Sequence, residues 1–157
     1  MEAVKMKQFK KLSNRENIDL IPYIQQYIEK YPETQILIGT DLQNRKHKSI
    51  YALCIGLNRP GKGAHVIYSK YDVPRIKDNR DRLIRETWDT IEVAEYIREN
   101  TGIKATFLDI DINPDIKFGS NSVLSSCVGM CVGFGYNYRH KGNDPMLTYA
   151  SDAACRS

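Results

Sequence analysis

The sequence has no apolar run long enough to cross a membrane. It is also poor in cysteine and histidine, the residues that define disulfide-rich and zinc-binding proteins. Its 157 residues include four cysteines, three histidines and one tryptophan. A membrane-spanning helix needs about 20 consecutive, mainly apolar residues. Residues 1–7 also lack the continuous apolar core of a secretion signal. We therefore expect a cytoplasmic protein that does not enter membranes.

The cysteines and histidines do not form a recognisable zinc site. They are Cys54, Cys127, Cys131 and Cys155, with His47, His65 and His140. Only Cys127 and Cys131 are close in sequence, and no histidine stands at a zinc-ligand spacing from them. We interpret the cysteines as buried structural residues of a reduced protein.

The charge balance is a mild positive excess, with a net charge of +4. The basic residues nevertheless cluster at the N-terminus, after Asp41 and before Glu86. Six of them would be suited to contact nucleic-acid phosphates: Arg45, Lys46, Lys48, Arg75, Arg80 and Arg82. The alternative is a solvated charged surface, as on most soluble proteins.

Apolar periodicity predicts one domain over residues 1–157, in which residues 1–16 form a flexible basic arm. Helices are predicted at 17–30, 78–100, 120–133 and 150–157, and strands at 35–41, 49–57, 64–71, 104–112 and 134–140. The short connections make the first three strands antiparallel. Each later strand follows a helix, so it is expected to pair in parallel. This is the strand order of a ribonuclease-H-like mixed five-stranded sheet, with an extra N-terminal helix.

Several carboxylates stand in or beside these apolar segments. Asp41 ends the first strand, Glu86 lies in the first turns of the long helix, and Asp152 is near the C-terminus. Asp109 and Asp111 alternate along one apolar strand and so share a face. Buried carboxylates need compensation, and a divalent metal is the usual compensator where several converge. The alternatives are a strand-end turn for Asp41, a surface acid for Glu86 and a helix cap for Asp152.

Short motifs along most of residues 18–154 resemble an uncharacterised bacterial and phage family of predicted ribonuclease-H-like nucleases. Its G-T-D-S-Q signature corresponds to residues 39–43, with Leu42 in place of Ser. Its V-P-R, R-L-x-x-E-T, D-I-N-P, G-x-G and Y-A-A-S elements correspond to residues 73–75, 82–87, 111–114, 133–135 and 149–151.

The resemblance implies a nuclease that hydrolyses phosphodiester bonds with two Mg²⁺ or Mn²⁺ ions. It makes Asp41, Glu86, Asp111 and Asp152 the metal ligands and catalytic acids. Asp109 would then be a supporting acid. The partner would be nucleic acid, and DNA, RNA and RNA–DNA hybrids all remain open. A resolvase of this type would need a homodimer to cut two strands symmetrically.

Two other functions compete with the nuclease hypothesis. A catalytically inactive nucleic-acid-binding protein with the same fold would carry the same basic clusters. An actin-like ATPase could use residues 38–42 as a phosphate loop, but the chain is short for the two lobes of such enzymes.

Overall fold

A single mixed β-sheet runs through the part of the chain that the structure describes. This computed structural model describes residue 4, residues 7–110 and residues 120–140. Its strands are β1 (Phe9–Lys11), β2 (Asn17–Ile18), β3 (Gln35–Asn44), β4 (Lys48–Arg59), β5 (Gly63–Pro74), β6 (Phe107–Ile110) and β7 (Tyr138–His140). Its helices are α1 (Leu20–Lys30), α2 (Asn79–Thr101) and α3 (Ser120–Gly133). The strand order across the sheet is β2-β1-β5-β4-β3-β6-β7.

Strands β3, β4 and β5 form the antiparallel meander that the sequence predicts. β3 pairs with β4 from Gln35↔Asn58 to Asn44↔Ser49, and β4 pairs with β5 along its whole length. The strands are rich in Ile, Leu, Val and Tyr, which favour the pleated conformation. The turn between β4 and β5 contains Gly61 at a φ of 77°, a backbone angle that glycine adopts without steric cost.

The two later strands join the sheet in parallel, as expected for strands that follow helices. α2 connects the meander to β6, which pairs in parallel with β3 at Leu37↔Phe107, Ile38↔Leu108 and Gly39↔Asp109. α3 connects β6 to β7, which pairs in parallel with β6. The predicted parallel pairing is therefore confirmed, and β3 lies between an antiparallel and a parallel neighbour.

The predicted sheet of five strands and the flexible arm need correction. Among the described residues the sheet has seven strands, because the N-terminal segment adds β1 and β2. β1 pairs with β5 at Lys10↔Tyr68, and the side chain of Phe9 is only 2% exposed. This pairing satisfies backbone groups of β5 and buries an aromatic ring, which fixes residues 9–11 in place.

Helix α2 is defined at both ends by local chemistry. The side chain of Asp78 accepts a hydrogen bond from the Arg80 backbone N–H at 2.8 Å, which caps the N-terminus. Gly102 ends the helix in the left-handed conformation at a φ of 74°. Between these caps, Ile91, Ala94 and Ile97 bury the apolar stripe against the sheet.

The sheet has two different faces. We call the face covered by the helices the helix face and the opposite one the second face. Thr40 belongs to the helix face, because its hydroxyl lies 2.8 Å from that of Thr90 in α2. The alternation of side chains along β3 then places Gly39 and Asp41 on the second face. A smaller apolar cluster that includes Ala52 and Cys54 is buried on the second face.

None of the helices in the described residues combines the length and the hydropathy needed to span a bilayer.

Candidate metal and nucleic-acid site

Asp41 lies near the C-terminal end of β3, on the second face. It pairs with Ala52 of β4 and is partly exposed. On the other side of β3, the described pairing with β6 ends at Gly39. β3 is thus the strand from which the first candidate ligand projects, and Asp41 stands just beyond the parallel contact with β6.

Asp109 is brought close to Asp41 by that parallel contact. It pairs with Gly39 and therefore also faces the second side of the sheet. From strand spacing and rise, the Cα atoms of Asp109 and Asp41 are roughly 8 Å apart. Asp109 is buried, and Arg139 Nε donates a hydrogen bond of 2.7 Å to its Oδ1 atom. This guanidinium compensates the buried negative charge of Asp109.

Glu86 projects from α2 toward the interior and is 4% exposed. It lies one turn before Thr90, whose hydroxyl donates to the Glu86 backbone carbonyl at 2.8 Å. Arg82 Nε lies 3.8 Å from Glu86 Oε1. Burial raises the pKa of the Cys127 thiol, and the negative charge of Glu86 contributes to that increase. The carboxylate of Glu86 is therefore inside the protein, close to α3.

The burial of Glu86 distinguishes it from the other acids of α2. Glu92 and Glu95 are only half-buried. Since charged side chains are rarely buried without a compensating group, position 86 differs in kind from a solvated helix surface. The sequence signal for this difference was the place of Glu86 at the border of the apolar stripe.

Of the five predicted acids, the structure describes Asp41, Glu86 and Asp109, and it does not bring all three together. Asp41 and Asp109 lie on the second face, whereas Glu86 is on α2, which covers the helix face. Within residues 4, 7–110 and 120–140, no group of three or more His, Cys, Asp or Glu side chains is arranged to hold a metal ion. Asp111 and Asp152, the other two predicted ligands, lie outside the described residues.

Two basic segments that are distant in sequence meet at the end of the meander near Asp41. The Asn44 side-chain amide donates to the Ile76 carbonyl at 3.2 Å, and the Ile76 backbone N–H donates to the Ser49 hydroxyl at 3.0 Å. The Ser49 hydroxyl in turn contacts the Asn44 amide oxygen. These bonds fix residues 75–78 against the β3–β4 hairpin. They bring its basic tip, Arg45 and Lys46, next to the basic residues that precede α2.

The basic residues of this region differ in their surroundings. Arg45 is exposed and donates to Gln43 at 3.1 Å. Lys48 forms an ion pair with Asp72 at 2.9 Å. Arg82 is directed toward the buried Glu86. The remaining predicted phosphate contacts, Lys46, Arg75 and Arg80, are exposed.

Arg139 is the residue near these acids that sequence reasoning missed. Its contact with Asp109 depends on the parallel pairing Asp109↔Arg139 between β6 and β7. No local pattern signals a partner 30 positions away, so only the register of the sheet reveals it.

A comparison with protein families now gives this geometry a context. A family model described as Ribonuclease H-like matches residues 19–156. The chain belongs to the ribonuclease H-like family. This confirms that the chain is ribonuclease H-like, as the resemblance implies, and the meander followed by parallel strands is consistent with that fold. No curated protein and no solved structure matches the chain.

The chemistry of the donors fits the divalent metals that ribonuclease H-like proteins often use. Asp41 and Glu86 offer carboxylate oxygens, which are the ligands that Mg²⁺ and Mn²⁺ prefer. The described cysteines, Cys54, Cys127 and Cys131, are buried and unoxidised. Burial raises the pKa of the Cys131 thiol to about 12.

Proposed function

We propose that the protein is a metal-dependent nuclease that hydrolyses phosphodiester bonds in nucleic acid. The observation that carries the proposal is the position of Asp41. It is a carboxylate on β3, the strand that joins the antiparallel meander to the parallel strands, just beyond the parallel contact with β6. Ile110 ends the described part of β6 at that same edge, and Asp111 follows it in the sequence.

The proposed metal ligands are Asp41, Asp111 and Asp152, and Glu86 is a fourth candidate, which α2 holds on the helix face, opposite Asp41. All four supply carboxylate oxygens from segments far apart in the sequence, as a site built by the fold requires. Two bound divalent ions would supply activation of the attacking water and stabilisation of the departing oxygen.

The other residues of the proposed site hold these acids and the substrate. Arg82 orients Glu86 through the ion pair at 3.8 Å, and Arg139 holds Asp109 at the parallel contact. The exposed cations at the hairpin tip and before α2 would bind backbone phosphates on either side of the bond that is cut. The hydrogen bonds between Asn44, Ser49 and Ile76 keep these two basic segments together.

The test is a panel of labelled RNA–DNA hybrids, duplexes, single strands and four-way junctions incubated with Mg²⁺ or Mn²⁺. We expect cleavage of at least one substrate and at least about a hundredfold loss of rate in Asp41→Asn. That is the loss typical of removing one group that stabilises charge in the transition state. The pattern of cleavage identifies the substrate class.

A matched control is Asp19→Asn, which makes the same chemical change far from Asp41. Asp19 is exposed and its side chain makes no capping hydrogen bond at the start of α1. The variant should therefore cleave like the wild type. Inertness of the wild type on every substrate, with nucleic-acid binding retained, would instead support the catalytically inactive binding protein.

A further inference from the structure

A basic cavity lies on the second face, beside the N-terminal hairpin that the sequence did not predict. Its volume is about 530 Å³, and its lining includes Lys10, Arg15, Tyr68, Lys70 and Asp72. Lys10 comes from β1, Arg15 from the loop between β1 and β2, and the others from β5. The cavity therefore exists only because residues 9–18 pair with the sheet.

The charge of this cavity is positive. Three of the lining side chains, Lys10, Arg15 and Lys70, are cations. The only lining anion among the described residues is Asp72, and Lys48 offsets its charge through the ion pair at 2.9 Å. A concave surface with several cations favours the binding of an anion.

Arg15 lies in the cavity wall, and its backbone has a strained, left-handed conformation. It is the only residue other than glycine with a positive φ in the described part of the chain, at 62°. Side chains rarely adopt this left-handed conformation, and glycine or asparagine is usual there. The Arg15 guanidinium donates to the Tyr68 hydroxyl at 3.0 Å and stands over the Tyr68 ring. Strain of this kind accumulates at functional positions.

The cavity is aligned with the proposed nuclease site. Lys70 pairs with Ala52, and Ala52 pairs with Asp41, so the three side chains occupy one row of the second face. Two strand spacings separate Lys70 from Asp41 by about 10 Å. Along β5, Asp72 and its partner Lys48 connect the cavity to the basic tip of the β3–β4 hairpin.

We propose that this cavity binds a backbone phosphate of the nucleic-acid strand that is cut at Asp41. The straight separation of about 10 Å is within reach of a few nucleotides of one strand, at about 3.4 Å of axial rise per nucleotide. The strand would follow β5 and the hairpin tip, where Lys48 and the exposed cations Arg45 and Lys46 lie. The inference rests on the proposed function for the position of the cut, and it assigns to the N-terminal hairpin a role in holding the substrate.

The test uses Arg15→Gly, a change that separates binding from folding. Glycine adopts a φ of 62° freely, and this gain offsets the lost hydrogen bond to Tyr68, so we expect the thermal stability to change little. We expect the affinity for a labelled single-stranded or hybrid oligonucleotide to fall about tenfold, the scale of one charge-assisted contact. The slope of log affinity against log salt should decrease by about 1.

The measurement is fluorescence anisotropy in the Asp41→Asn background without divalent metal, so the result does not depend on cleavage. The double variant Lys10→Gln/Lys70→Gln should also lose affinity, with a salt slope lower by about 2. The control Lys62→Ala removes one exposed cation at the β4–β5 turn and should retain the affinity and slope of the parent.

Three outcomes would overturn the proposal. The first is unchanged affinity and slope in both cavity variants. The second is an equal loss in Lys62→Ala, which would indicate a general charge effect. The third is that inorganic phosphate binds in the cavity while the cavity variants keep the oligonucleotide affinity of the parent. If the cavity variants lose affinity while the wild type never cleaves, only the nuclease proposal fails.

Discussion

Asp109 and Arg139 form a short, largely buried ion pair beside the proposed site, with 2.7 Å between Asp109 Oδ1 and Arg139 Nε. The side chain of Asp109 is fully buried, whereas that of Arg139 is 24% exposed. Arg139 therefore offsets the negative charge of Asp109 at the strand beside Asp41 and holds the two parallel strands β6 and β7 together.

We expect Arg139→Gln to destabilise the protein by about 2 kcal/mol. The variant leaves the buried carboxylate of Asp109 without its charged donor. Asp109→Asn/Arg139→Gln should recover part of this loss, because it removes both charges. Chemical denaturation of the two variants and of Asp109→Asn gives the coupling energy. A coupling near zero would contradict this account of the pair.

His65 makes the stability of the protein dependent on pH. Its imidazole contacts the Tyr23 hydroxyl and stacks on Tyr27. Burial, and then the positive charge of Lys11, lower its pKa below the usual value of 6.5. Below about pH 6.5 the unfolded chain therefore binds more protons than the folded one, so the free energy of unfolding decreases as the pH falls.

The expected result for His65→Gln is a weaker dependence of the melting temperature on pH between about pH 7 and pH 5. The difference from the wild type should be absent above about pH 7.5, apart from a constant offset. Thermal denaturation across this range measures it. Identical pH profiles for the two proteins would show that His65 is not the group responsible.

Helix α2 is the element that links local sequence signals to the position of Glu86. Its start at Asp78 and its end at Gly102 were both predicted within a residue or two, because cap chemistry is local. The packing of Thr90 on Thr40 then fixes the rotation of the helix over β3. Glu86, one turn earlier, is thereby directed inward.

Substitutions at Gly102 test this control of the helix end. Gly102→Ala should cost about 1 kcal/mol of stability, because alanine is disfavoured at a φ of 74°. No atom lies within 4 Å of a Cβ built there, so the cost is one of backbone conformation alone. Gly102→Asn should therefore cost less, since asparagine tolerates this region. Equal losses measured by chemical denaturation would point to a different cause.

Strands β1 and β2 show where sequence reasoning stopped. They are three and two residues long, too short for an alternating pattern, and Lys10 and Lys11 suggest a solvated arm. These strands are ordered by hydrogen bonding to the edge of β5 and by burial of the Phe9 ring. Both interactions exist only once the rest of the sheet has formed. The longer strands β3, β4 and β5 were predicted because their apolar runs are long and their turns contain glycine or polar residues.

Part of the candidate site was also predictable, because long apolar segments can be recognised in the sequence. The sequence identified Asp41 and Glu86 because each stands at the border of an apolar segment. It predicted the parallel pairing of the later strands, but only the register Gly39↔Asp109 shows that Asp109 lies near Asp41. It could not show that Arg139 would meet Asp109, or that Asn44 and Ile76 would join the two basic segments. These contacts depend on strand register and loop packing, which no local pattern encodes.

In the assembled sheet, Asp41, the basic hairpin tip and the basic cavity lie along one surface. Metal binding at Asp41 is the central claim. Calorimetric titration of the wild type, Asp41→Asn and Asp19→Asn with Mn²⁺ or Mg²⁺ tests it most directly, and the nucleic-acid affinity of each protein is measured alongside. We predict metal binding by the wild type and Asp19→Asn, and a large loss of it in Asp41→Asn. The absence of a metal site in the wild type, together with unchanged nucleic-acid affinity in Asp41→Asn, would contradict the account.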